Sequence, residues 1–172
     1  PPPPPPPPLF YPPADHLYLH NRCRRQRQRC IRDSYSTGGS SKYLKKIKVP
    51  HVEISKYTRQ KEILSGRVKT LHPKIFGGIL ATNNRDHQEE LKKEKIINFD
   101  LIIVNLYPFE KTIKNTKKID EIIEMIDIGG HSLIRAAAKN YLKSTILVDP
   151  LDYPNFIKSF PKTVLAKKKI CN

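Results

Sequence analysis

From residue 34 onward the apolar positions switch between two spacings, and that switching predicts a domain of alternating strands and helices. Two uninterrupted apolar runs, at 100–105 and 145–148, have strand length and the composition of strands covered on both faces. Between and around them, apolar residues recur at helical spacing. A polar helix is predicted over 86–95, closed by the loop Asn98-Phe99, with further helices over 119–125 and over 132–140, where an alanine triplet favours helix. Nearer the start, a strand end at Ser34-Tyr35 runs through Ser36-Thr37-Gly38-Gly39-Ser40 into a helix over 41–47, followed by a strand over 49–54. A weaker helix over 151–159 closes the pattern. The class is therefore α/β, with a mostly parallel central sheet. On such sheets ligands sit beyond the carboxyl ends of the strands, where Asn105 and the 36–40 turn both fall.

The first 33 residues have another character. Ten of the sixteen prolines lie in the first thirteen positions, and six arginines lie between Arg22 and Arg32, whereas the first lysine is Lys42. So abrupt a change in basic-residue preference points to a different reading frame, a fusion or a misassigned start. Residues 1–33 are accordingly expected to be a disordered, out-of-family segment with no packed structure. The alternative is a polyproline II ligand followed by an arginine-rich arm, which would make the chain a basic or polyproline interaction protein. One domain is expected over 34–160, with an out-of-family tail over 161–172.

The net charge of +16 suits either a nucleic-acid surface or a solvated lysine-rich one. Lys45, Lys46, Lys92, Lys93, Lys95, Lys117 and Lys118 are scattered over helix faces, so nucleic acid is not the expected partner. An anionic small molecule would profit from the same field. Cys23, Cys30 and Cys171 form no C-x-x-C pair, so no metal site is expected, and an odd count fits a reducing, cytoplasmic setting. No apolar run reaches the roughly 20 residues of a membrane span.

Candidate chemistry gathers in four segments. In the first, Thr37, Gly38, Gly39 and Ser40 could turn backbone N–H groups and a helix amino end toward an anion, or form only a capped turn. Arg67 and Lys69 flank Val68 and would share one side of an extended segment, with Thr70 adding a hydroxyl before His72-Pro73 bends the chain. An arginine fork and a lysine there could grip a phosphate or carboxamide and neutralise an oxyanion. Asn105 and Tyr107 place an amide and a phenol at the sheet's rim, unless Tyr107-Pro108-Phe109 is only a packing turn. Asp127, before Gly129-Gly130, could cap a helix or orient a reacting amide. Lys139 ends that helix and reaches the rim only if the helix points the right way.

The runs STGGS (36–40), SGRVKTLHPKIFGGIL (65–80), VNLYPF (104–109), IDIGG (126–130) and RAAAKN (135–140) resemble the amino-terminal domain of the bifunctional family that joins AICAR formyltransferase to IMP cyclohydrolase. The resemblance covers Ser36 to about Tyr153. It implies a three-layer, methylglyoxal-synthase-like domain that closes formyl-AICAR to IMP in purine biosynthesis, without cofactor or metal. It further implies Lys139 as principal proton donor or acceptor, with Lys69, Tyr107 and Asp127 as partners. Thr37, Gly38, Gly39 and Ser40 would hold the 5′-phosphate. Arg67, Val68, Lys69, Thr70, Val104, Asn105, Asp127 and Ile128 would line the nucleotide. The expected partner is that nucleotide, with a homodimer as in the family. The family's opening strand, its Ser-x-Ser-Asp-Lys loop and the formyltransferase domain have no counterpart, so the first strand–helix unit is expected to be missing. An inactive truncated or frameshifted fragment is the alternative; a regulatory domain of the same fold would have no need of the GRVKTLHP run.

Overall fold

The structure is a computed structural model that describes residues 34–159 and the backbone of one earlier strand, β1 (His16–His20). Then follow β2 (Ser34–Ser36), α1 (Gly38–Lys46), β3 (Val52–Glu53), α2 (Ile54–Thr58), α3 (Pro73–Leu80) and α4 (Arg85–Lys93). After these come β4 (Leu101–Asn105), α5 (Phe109–Asn115), α6 (Ile119–Glu124), α7 (Ile128–Lys139) and β5 (Thr145–Leu147). A final helix covers 153–159. Short 3-10 turns stand at Leu64–Gly66 and Pro150–Asp152.

The architecture is the expected three-layer α/β fold, with strand order β3-β2-β1-β4-β5. Both outer pairs, β2 with β3 and β4 with β5, are parallel. The centre differs from expectation. β1 lies between the two parallel pairs and runs antiparallel to both, from His16 opposite Asn105 to His20 opposite both Leu101 and Ser34. The expectation that residues 1–33 carry no packed structure therefore does not hold at 16–20; the remainder of 1–33, and the tail from 160, lie outside the described residues. Antiparallel pairing is what lets a strand donate and accept on both edges without a crossover helix before it.

The core forms where α3 and α7 cover β4. Ile75, Ile79, Ile102, Val104, Leu133, Ala136 and Ala137 are buried together, with Ile54 and Phe99 closing one end. Phe99 meets Tyr35 edge-on at 5.7 Å between centroids, and Tyr35 meets Tyr57 at 5.1 Å, geometries that rings prefer to flat stacking. Gly78 makes the close approach of α3 possible. A Cβ there would stand 2.2 Å from the Ile97 carbonyl oxygen and 2.7 Å from a Phe99 ring carbon.

Two expected elements change. The strand over 49–54 shrinks to Val52–Glu53, because Ile54 turns into α2 to reach the core. The bend expected at His72-Pro73 is instead the amino end of α3, with Pro73 in the first turn, where its missing N–H costs nothing.

His72 caps α3 by accepting from the Lys74 N–H on Nδ1 at 3.1 Å. Burial, helped by the charge of Lys74, holds its imidazole below the ordinary value of 6.5. The folded chain therefore binds fewer protons here than the unfolded chain does. This part of the stability is complete above the unfolded pKa and is lost as pH falls through the lower, folded pKa. His72→Asn keeps a capping oxygen without a titrating ring. The loss of urea midpoint between about pH 7.5 and about pH 5 is expected to be smaller in the variant.

Candidate active site

A cleft of about 520 Å³ opens at the carboxyl end of β4, over the amino end of α7. Thr37, Arg67, Lys69, Thr70, Val104, Asn105, Tyr107, Asp127 and Ile128 line it. Most of the residues singled out in the sequence thus meet around one space, although they come from four separate segments.

The wall from Ser65 to Leu71 is built by a strained turn. Leu64 and Ser65 take left-handed φ values of 53° and 54°, and Gly66 reaches 89°. Non-glycine residues hold such angles only where their surroundings impose them, commonly at functional sites. Here the brace is the backbone pair between Ile63 and Val68, whose N–H groups reach each other's carbonyl oxygens at 3.2 and 3.4 Å. Gly66 also clears the path of Lys69, whose Cε would lie 2.8 Å from a Cβ on Gly66. Arg67 and Lys69 both reach the cleft, yet not from an extended segment: Arg67 has helical φ and ψ of −64° and −26°. The turn aims them together. Val68, whose backbone forms the brace, is not among the residues that line the cleft.

Asp127 caps α7, its Oδ1 accepting from the Gly130 N–H at 2.6 Å. A carboxylate at a helix amino end is favoured by the helix dipole. Gly130 leaves room for it, since a Cβ there would meet Asp127 Oδ2 at 2.4 Å. Thr70, buried beside it, has its hydroxyl 3.2 Å from where a Cβ on Gly129 would stand. Across the mouth, the Arg67 guanidinium pairs with Glu124 of α6, and that carboxylate pushes the arginine's pKa further up. Both side chains are more than half exposed, so the pair is weak and open to exchange.

Thr37 is the one member of the glycine turn that lines the cleft; Gly38, Gly39 and Ser40 form the first turn of α1 behind it. The Thr37 side chain makes no capping hydrogen bond to that turn. The adjacent Ser36 hydroxyl is fully buried and, among the described residues, has no hydrogen-bond partner.

Lys139 is not brought to this cleft. It is exposed at the far end of α7, eleven positions beyond Ile128, or about 16 Å along the axis. Its neighbour Asn140 has a structural task instead. The Asn140 amide donates to the Ile79 and Ala81 carbonyl oxygens at 2.7 and 3.0 Å, closing the end of α3. Ser65, Gly66, Leu71, Ile123, Glu124, Ile126, Gly129, Gly130 and Leu133 complete the lining; several belong to the motif runs, but none was named as a candidate site residue. The charge pairing of Glu124 with Arg67 spans 57 positions, which local spacing does not reveal.

The sequence model of the MGS-like domain matches residues 33–132. The chain belongs to the MGS-like domain family. The match takes in β2 to the first turns of α7, and with them every cleft-lining residue except Leu133. This MGS-like domain is also similar to the bifunctional purine biosynthesis protein PurH of several bacteria. Identity is 50% over 133 residues with PurH of Prochlorococcus marinus strain MIT 9515, covering 77% of this chain and 26% of that protein. It is 49% over 140 residues with PurH of Buchnera aphidicola (80% and 26%) and 54% over 123 residues with PurH of Caldicellulosiruptor bescii (70% and 24%). The chain spans about a quarter of the length of these curated relatives. Among solved structures, the crystal structure of ForH superposes with a TM-score of 0.64 at 28% identity, over 76% of this chain and 66% of that one. Among the described residues no group of three His, Cys, Asp or Glu could hold a metal ion, and no helix is long and apolar enough to cross a membrane.

Proposed function

We propose that the cleft is an IMP cyclohydrolase site, which closes formyl-AICAR to IMP in the cytoplasm. The observation that carries this reading is the meeting of Lys69, Tyr107 and Asp127 around one cleft, in a chain about half identical to PurH over that region. The reaction joins two groups of one molecule, so holding them in contact supplies much of the rate. The carboxamide nitrogen forms a bond to the formyl carbon and gives up a proton, while the formyl oxygen takes one. The resulting hydroxyl then leaves as water with the proton of the former formamido nitrogen, and the ring gains its C=N bond between that nitrogen and the former formyl carbon. Every step is a proton transfer or the stabilisation of an oxyanion, which needs neither metal nor redox cofactor.

In this scheme Asp127 orients the carboxamide and accepts from its N–H. Lys69 stabilises the developing oxyanion and returns a proton, with the Tyr107 phenol beside it. Arg67 clamps the nucleotide, leaving Glu124 as the anion enters. The 5′-phosphate lies against Thr37 and the first turn of α1, whose N–H groups and helix dipole favour it. Lys139, exposed at the far end of α7, is given no step in this scheme.

Purified full-length chain, titrated with IMP and then supplied with formyl-AICAR, tests the reading. Saturable IMP binding and IMP formation are expected; neither binding nor turnover, under conditions where intact PurH shows both, overturns it. Glu124→Gln removes the competing carboxylate at the mouth and is expected to tighten IMP binding by about threefold at low salt, measured by calorimetry.

A further inference from the structure

Asn105 ends β4 at the cleft, but its side chain also has a neighbour on the other side. The Tyr153 hydroxyl donates to Asn105 Oδ1 at 2.5 Å, a contact between residues 48 positions apart. Tyr153 itself is held by the turn before it, where Asp149 Oδ1 accepts from the Leu151 N–H at 2.9 Å. Burial keeps its phenol pKa above the usual value, and the Asp149 carboxylate adds to this, so the proton needed for the contact stays in place. A phenol carries one proton and can also accept; were the Asn105 amide turned over, its NH₂ would donate to the phenol oxygen and the Tyr153 proton would lose the acceptor it has now, so the observed orientation is the favoured one. With Oδ1 engaged by Tyr153, the end of the Asn105 amide left for the cleft is its NH₂, a donor.

We propose that Tyr153 is a positioning residue that locks the Asn105 amide, so that the site presents a donor and selects nucleotides bearing a carbonyl oxygen over those bearing an amino group. The proposal rests on the nucleotide reading above and deepens it. A site built around a fixed donor rejects a ligand that offers another donor, because two N–H groups then face each other unpaired. Tyr153→Phe removes the lock and little else, since the ring remains. The Asn105 amide can then turn over and serve either ligand.

The test uses the full chain and two probes, IMP with a 6-oxo group and AMP with a 6-amino group, in calorimetric titrations of wild type and Tyr153→Phe. Wild type is expected to favour IMP, and the variant to lose about fivefold of that preference. A merely structural role would weaken both probes alike. In parallel, the side-chain ¹⁵N–¹H₂ resonances of Asn105, assigned with Asn105→Asp, are expected to shift in Tyr153→Phe. An unchanged IMP-to-AMP ratio, a wild-type preference for AMP, or unmoved Asn105 resonances overturns the proposal. If wild type binds neither nucleotide, the nucleotide reading fails, and the lock itself is decided by the resonances alone.

Discussion

Asp127→Asn is expected to lower the rate of IMP formation by about a hundredfold while leaving the fold intact. Asp127 has one task that the structure shows and a second that the proposed reaction assigns to it. As a cap it needs only an oxygen to accept from the Gly130 N–H at 2.6 Å, and asparagine supplies one as well as aspartate does. As the group proposed to accept from the reacting carboxamide it needs its charge, which asparagine lacks. Asp127→Ala removes both, so it is expected to lose the same catalytic factor and about 1 kcal/mol of stability besides. Urea melts beside initial rates on formyl-AICAR separate the two. Equal rates in wild type and Asp127→Asn would leave Asp127 as a cap alone.

Gly78→Ala is expected to destabilise the domain by about 3 kcal/mol, read as a fall in urea midpoint at unchanged slope. The added methyl would sit 2.2 Å from a backbone carbonyl oxygen, a group that cannot rotate out of the way. Relief requires α3 to move off the 97–99 segment. That motion would also break the hydrogen bond from the Phe99 N–H to the Gly78 carbonyl at 3.0 Å and unseat Phe99 from Tyr35. Because α3 starts at Pro73, two residues after the cleft wall ends at Leu71, nucleotide binding is expected to weaken alongside.

What the sequence made legible, and what it did not, follows from where each signal is stored. The strand Leu101–Asn105 and the helix Arg85–Lys93 were legible because a period or an unbroken apolar run is local information. α3 was not, because its Pro73 and the pair Gly77-Gly78 read as breakers. Its helical state is decided by packing on Phe99 and α7, which outweighs intrinsic propensity. β1 was hidden by its surroundings, a short segment between proline-rich and arginine-rich stretches. At the site, motif runs brought Arg67, Lys69, Asn105, Tyr107 and Asp127 to notice. Tyr153 and Glu124 escaped because their meaning lies in a single distant contact each. Lys139 shows the converse: a matching run gives the residue, while the direction and length of α7 decide where it stands.

The polar closure at the end of α3 has a kinetic consequence. Asn140, Lys143 and Ser144 reach back to the carbonyl oxygens of Ile79 and Ala81, and Ser144 also to that of Phe99, across separations of 45 to 65 positions. None of these bonds forms until a loop of that size has closed, and until then the end of α3 is left to water. Chain search of this kind belongs to the slower range of single-domain folding, milliseconds and beyond rather than microseconds. A nascent chain that has emerged only as far as α6 would hold its cleft wall and its first helices without the bolt that fastens them.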